Sequence, residues 1–104
     1  MKYFIYIIRC EDNSLYTGIT TDLLRRFNEH TVSSLGAKYT KAKKPLRIER
    51  AWQTNNRSNA SKLEARIKQL TKAQKEELIK TPENFNIYFE MLDKSAYIIL
   101  GETK

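Results

Sequence analysis

The sequence predicts an α+β domain, an α/β sandwich-like arrangement in which a small antiparallel three-stranded sheet is flanked by helices in the order β-β-α-β-α-α, with a C-terminal β-hairpin added. Three observations carry this. The first nine residues hold a β-branched and aromatic run, YFIYIIR, followed by the turn formers Glu11-Asp12-Asn13-Ser14, so two strands joined by a tight turn are the economical reading. Two later segments repeat apolar residues at helical spacing. Between them, a segment after Pro45 is extended, with Ile48 and Trp52 at even spacing.

The hairpin at 3–20 carries Tyr6 on its first strand and Tyr16 on its second. In a short-looped hairpin these residues have the same parity, so both phenols can stand on one face of the sheet. Gly18 removes a side chain where the chain leaves the second strand, which lets a ligand or another backbone approach closely. Thr20-Thr21-Asp22 offers N-cap candidates, and Leu23, Leu24 and Phe27 form an apolar stripe, so a helix is expected over 22–33. On it Asp22, Arg26 and His30 repeat at i, i+4 beside Arg25. That row is either a solvated stripe with an Asp22–Arg26 pair or, next to the tyrosines, an anion site.

Residues 34–44, SLGAKYTKAKK, read as a basic loop. Lys38, Lys41, Lys43 and Lys44 could lie along a phosphate backbone with Tyr39 stacking, and a merely solvated charge run is the alternative. The third strand is expected at 46–53, with Leu46, Ile48 and Trp52 toward the core. Ser58 is a candidate N-cap for a helix over 59–70, whose seam is Ala60, Leu63, Ile67 and Leu70. Glu64 lies on the margin of that seam, and alone it reads as an ion-pair partner of Lys68. Thr71-Lys72-Ala73-Gln74 has the form of a capping box and starts a third helix, ended by Thr81-Pro82. Beyond it, Phe85, Ile87 and Phe89 alternate, as do Tyr97 and Ile99, which predicts the second hairpin. Residues 1–82 are therefore read as the main domain and 83–104 as an extension in the same compact unit.

With 104 residues the chain is long enough for one modest core. No apolar run is long enough to span a membrane, no leader is expected ahead of the first strand, and a cytoplasmic location is the expectation. Cys10 is the only cysteine, so neither a disulfide within the chain nor a Cys/His zinc site can form, and Cys10 reads as a small core filler. The formal net charge is +7. It is distributed as +5 over residues 1–50, +4 over 51–82 and −2 over 83–104, which points to a nucleic-acid partner for the first 82 residues.

Phe4-Ile5-Tyr6, Tyr16-Thr17-Gly18 and Arg26 resemble the motifs of the GIY-YIG nuclease domain superfamily, and the run Tyr-Thr-Gly-Ile-Thr-Thr-Asp-Leu-Leu-Arg-Arg is similar to its small stand-alone bacterial branch. The likeness covers about residues 2–80, with Phe4 and Thr17 departing from the motif letters. It implies a metal-dependent endonuclease acting on DNA, in repair or processing. Glu64 would hold one Mg²⁺ or Mn²⁺, Arg26 would contact the scissile phosphate, and Tyr16, Tyr6 or His30 would serve the attacking water, with Arg25 and the lysine loop on the nucleic acid. The family's late asparagine has no match between Glu76 and Pro82, and Asn84 falls farther along. Two other readings are a non-catalytic nucleic-acid-binding module of the same fold and a protein–protein adaptor that uses the C-terminal hairpin by strand addition.

Overall fold

The computed structural model describes residues 1–33 and 44–100, without the side chains of 30–33. The expected α+β order is present: β1 (Tyr3–Cys10), β2 (Leu15–Thr20), α1 (Leu23–Ser33), β3 (Pro45–Thr54), α2 (Arg57–Gln69), α3 (Lys72–Lys80), a 3-10 turn (Pro82–Asn84), the one-turn helix α4 (Phe85–Tyr88), a second 3-10 turn (Lys94–Ala96) and β4 (Ile98–Leu100). The antiparallel sheet has four strands rather than three, in the order β2-β1-β3-β4.

β1 is central, which explains its composition. Ile5, Tyr6, Ile7 and Ile8 are all buried because both faces of this strand are covered. On one face Ile5, Ile7 and Trp52 pack with Ala60, Leu63 and Ile67 of α2, Leu78 of α3, and Phe85 and Phe89. On the other, Tyr6, Ile8, Cys10 and Ala51 pack under Leu23 and Phe27 of α1. Cys10 is thus the core filler that its position predicted.

The turn between β1 and β2 closes through hydrogen bonds from Cys10 N–H to the Ser14 carbonyl (2.9 Å) and from Asn13 N–H to the Cys10 carbonyl (2.8 Å). Asn13 takes φ of 70°, a left-handed conformation that asparagine tolerates better than most residues.

Two expectations for β3 need correcting. Its pairing with β1 jumps from Ile7↔Arg50 to Ile8↔Ile48, which leaves Glu49 as a bulge, and jumps again between Arg9↔Arg47 and Cys10↔Pro45. A bulge reverses the alternation of faces. Ile48 therefore joins the Tyr6 face while Trp52 joins the other. Leu46, at the second irregularity, is 48% exposed and does not face the core.

The C-terminal hairpin is also corrected, because the segment coils instead of extending. Pro82 opens a helical turn, where its fixed φ is already helical. Phe85 and Phe89, which alternate, are also four apart, and α4 brings their rings into an edge-to-face contact at 5.0 Å while Ile87 turns outward. The extension contributes one strand, β4, on β3, with Trp52 opposite Ile99.

On the Trp52 face, α2 and α3 are capped by side chains. Asn56, two residues before the expected Ser58, accepts from Asn59 N–H (2.7 Å), and Thr71 and Gln74 form the expected reciprocal box.

A pin that the sequence does not announce joins three elements. Arg9 of β1 donates through Nε to Glu49 Oε2 (2.7 Å) and through Nη2 to Glu76 Oε1 of α3 (2.7 Å), while Lys72 reaches Glu76 Oε2 at 2.9 Å. The Arg9 guanidinium holds the Glu76 carboxyl down to about 2, from an ordinary 4.5. A carboxylate with a depressed folded-state value stabilises the fold above its unfolded value, and that contribution is lost as pH falls from 4.5 toward 2. Wild type is therefore expected to lose denaturant midpoint between pH 5 and 3 more steeply than Glu76→Gln, as followed by circular dichroism.

Candidate active site

The site is built where β1 and β2 meet the start of α1. The β1–β2 register sets Tyr6 opposite Gly18 and Ile8 opposite Tyr16, so both tyrosines stand on the α1 face as parity required, with ring centroids 6.2 Å apart. Gly18 is needed for a reason other than ligand approach. A Cβ there would collide with the Tyr6 phenol, coming within 2.7 Å of Cζ, so the Tyr6 ring itself lies over the glycine. Because Tyr6 is 1% exposed, the ring cannot swing into solvent to make room. Gly18→Ala is accordingly expected to cost about 1–3 kcal/mol by overpacking and to shift the Tyr6 hydroxyl. Thermal melts and the tyrosine ring NMR signals would register both.

α1 begins with Asp22 as its cap. Asp22 N–H donates to Thr20 Oγ1 (3.1 Å), and Asp22 Oδ1 accepts from Arg25 N–H (3.1 Å). This sets Arg26 one turn into the helix with its side chain toward the sheet, where Nε meets the Tyr6 hydroxyl oxygen at 3.4 Å and Nη1 meets Glu29 Oε1 at 3.3 Å. The Asp22–Arg26 side-chain pair considered from the sequence is not what forms. Asp22 approaches Arg25 at 3.8 Å instead, and Arg25 also pairs with Glu29 at 2.9 Å.

Burial pushes the Tyr6 phenol above its ordinary value, the Arg26 hydrogen bond works against that shift, and the charges of Tyr16 and Glu64 add to it. Contact with the Tyr6 oxygen in turn holds Arg26 firmly in its cationic form. Glu64 of α2 is the smallest of the electrostatic influences on Tyr6, and α2 itself packs against β1 and β2 from the Trp52 face. Glu64 is 24% exposed and pairs with Lys68 at 3.2 Å, so the ion pair read from the sequence is present as well.

Tyr6, Tyr16 and Arg26 are thus brought together, while Glu64 stands on α2, whose seam packs on the other face of the sheet. Lys44, just before β3, and Arg25 are exposed. The side chain of His30, and Lys38, Tyr39, Lys41 and Lys43, lie outside the described residues. Asn84 falls in the 3-10 turn beyond α3. Glu29, which takes both Arg25 and Arg26, is a site residue that the sequence reading passed over. Its spacing of i+3 and i+4 from the two arginines was the available signal.

Among the described residues no group of three or more His, Cys, Asp or Glu side chains could hold a metal ion. The donor set that fits is a single half-buried carboxylate, Glu64. This is the donor economy of magnesium sites that complete their shell with water and substrate phosphate oxygens. No helix among the described residues is long and apolar enough to cross a membrane.

Residues 2–77 match the model of the GIY-YIG catalytic domain. The chain is 47% identical over 85 residues to a UPF0213 protein of Fusobacterium nucleatum, covering 82% of this chain and 84% of that one. A UPF0213 protein of Desulfotalea psychrophila is 44% identical over 102 residues, covering 96% and 88% respectively. Among solved structures, the solution NMR structure of a UPF0213 protein from Bacillus halodurans superposes with a TM-score of 0.51 at 39% identity, over 77% of this chain and 84% of that one.

Proposed function

The chain belongs to the GIY-YIG family, alongside the small stand-alone UPF0213 proteins, and on that premise we propose that it is a divalent-metal-dependent endonuclease that hydrolyses DNA phosphodiester bonds. The observation that carries the reading is the meeting of Arg26, Tyr6 and Tyr16 over Gly18, with Glu64 in electrostatic reach. Arg26 presents a permanent cation to a phosphate, and its Nη groups offer a forked contact. Tyr6 holds that guanidinium in place. Its raised value makes it a poor base, so its assigned role is orientation. Tyr16 is 43% exposed and is the phenol open to substrate and water. Glu64 would hold Mg²⁺ or Mn²⁺, which supplies charge neutralisation on the phosphate and eases departure of the leaving oxygen. Arg25, Lys44 and the lysines of 34–43 would steer the DNA through charge. DNA repair or processing in the cytoplasm is the setting proposed.

The second reading, a nucleic-acid-binding module without catalysis, draws on the raised Tyr6 phenol and on the unmatched late asparagine. For the adaptor reading the extension supplies an edge strand, the three-residue β4, rather than a hairpin. Labelled single-stranded, branched and duplex DNA incubated with the protein and Mg²⁺ or Mn²⁺ separates the first two. Cleavage that a chelator removes is expected. DNA binding without cleavage under either metal would favour the binding module.

A further inference from the structure

On the sheet face away from Tyr6, a cleft of about 580 Å³ opens between β3, β4 and the segment that follows α3. Arg50, Lys80 and Lys94 stand at its walls, and Trp52, Phe85 and Tyr97 line its floor. The floor is fixed. Phe85 lies 6.4 Å from Trp52 and 5.6 Å from Tyr97, and the Tyr97 hydroxyl donates to the Asn59 carbonyl at 2.7 Å. Arg50 is held at the wall by donating through Nε to the Ile79 carbonyl at 2.8 Å. Lys80 and Lys94 are exposed and form no ion pair with another described residue. Among the described lining residues Glu83 is the acidic one, beside the exposed ammonium groups of Lys80 and Lys94.

We propose that this cleft binds one nucleotide of a nucleic-acid strand, its phosphate between Lys80 and Lys94 and its base against the Tyr97 and Phe85 rings. A purely apolar ligand would leave the Lys80 and Lys94 ammonium groups unanswered, and a small inorganic anion would leave the aromatic floor unused. A nucleotide is a flat ring joined to a phosphate and answers both, and the volume lies within the range of small-ligand sites. Lys94 belongs to the stretch whose overall charge is negative, so local placement rather than segment charge makes the cleft cationic. This site is separate from the tyrosine and arginine group, since Trp52 and Tyr6 sit on opposite faces of the sheet.

Trp52 is the only tryptophan, and its fluorescence reports the cleft directly. The full chain is titrated, without divalent metal, with 5′-phosphorylated oligothymidylate, thymidine 5′-monophosphate and thymidine. A saturable change is expected with the oligonucleotide, weaker binding of the monophosphate at the same site, and none with thymidine. Lys80→Ala combined with Lys94→Ala should weaken the oligonucleotide by about tenfold or more, and Glu83→Gln should tighten it. Glu64→Gln and Arg26→Lys should leave it as in wild type, whatever they do to cleavage. Absence of a saturable change, or a double lysine variant that binds like wild type, would overturn the proposal. So would loss of the signal in Glu64→Gln or Arg26→Lys. Free monophosphate binding as tightly as the strand would overturn the strand assignment and make this a small-nucleotide site.

Discussion

Glu64→Gln is expected to lower the single-turnover cleavage rate by about 10³-fold while leaving the melting temperature and DNA affinity close to wild type. The substitution keeps the side chain's size and removes its charge. What it loses structurally is an i,i+4 pair with Lys68 at 3.2 Å, the kind of contact worth about 0.3–0.5 kcal/mol, so the fold has little at stake. What it loses chemically is the carboxylate that, on the proposed mechanism, would hold the divalent cation. A variant that melts markedly earlier yet still cleaves would make Glu64 a structural partner of Lys68 and nothing more.

Arg26→Lys is expected to slow cleavage by about 10²-fold, despite the retained charge. Arg26 contacts the Tyr6 oxygen through Nε and Glu29 through Nη1, which leaves its remaining N–H groups to face a phosphate. A lysine ammonium is a single point of charge. It cannot keep the Tyr6 and Glu29 contacts and also present a fork to two phosphate oxygens. Loss of the Tyr6 contact should itself cost about 0.5–1.5 kcal/mol of stability. The melting temperature and the cleavage rate therefore move together in Arg26→Lys, whereas Glu64→Gln moves the rate almost alone.

The site was legible in the sequence where the signal was local. Tyr6 and Tyr16 share a face because hairpin parity is fixed by a short turn, and Arg26 follows because a cap one turn earlier sets the start of its helix. Gly18 was legible as a missing side chain, but what fills the gap is a ring from the neighbouring strand, which only the register reveals. The bulge at Glu49 has no signature in composition, and it is what separates Ile48 from Trp52. Arg9 and Glu76 stand 67 residues apart, so nothing local pairs them. The stretch from Phe85 to Phe89 satisfies both a period of two and a spacing of four, and only the packing of both rings onto the Trp52 face decides between strand and helix. The lysines of 34–43 and the His30 side chain lie outside the described residues.

If Tyr16, Arg26 and Glu64 act on one phosphate as one site, their losses should not multiply. The direct measurement is the single-turnover rate of metal-dependent DNA cleavage for wild type, Tyr16→Phe, Arg26→Lys and the two changes combined. Each single change is expected to slow cleavage by about 10²-fold, and the double variant to be little slower than the worse of the two. Losses that multiply across the pair, single variants as fast as wild type, or a wild type that cleaves no DNA with Mg²⁺ or Mn²⁺ would contradict the assignment of these residues to one catalytic site.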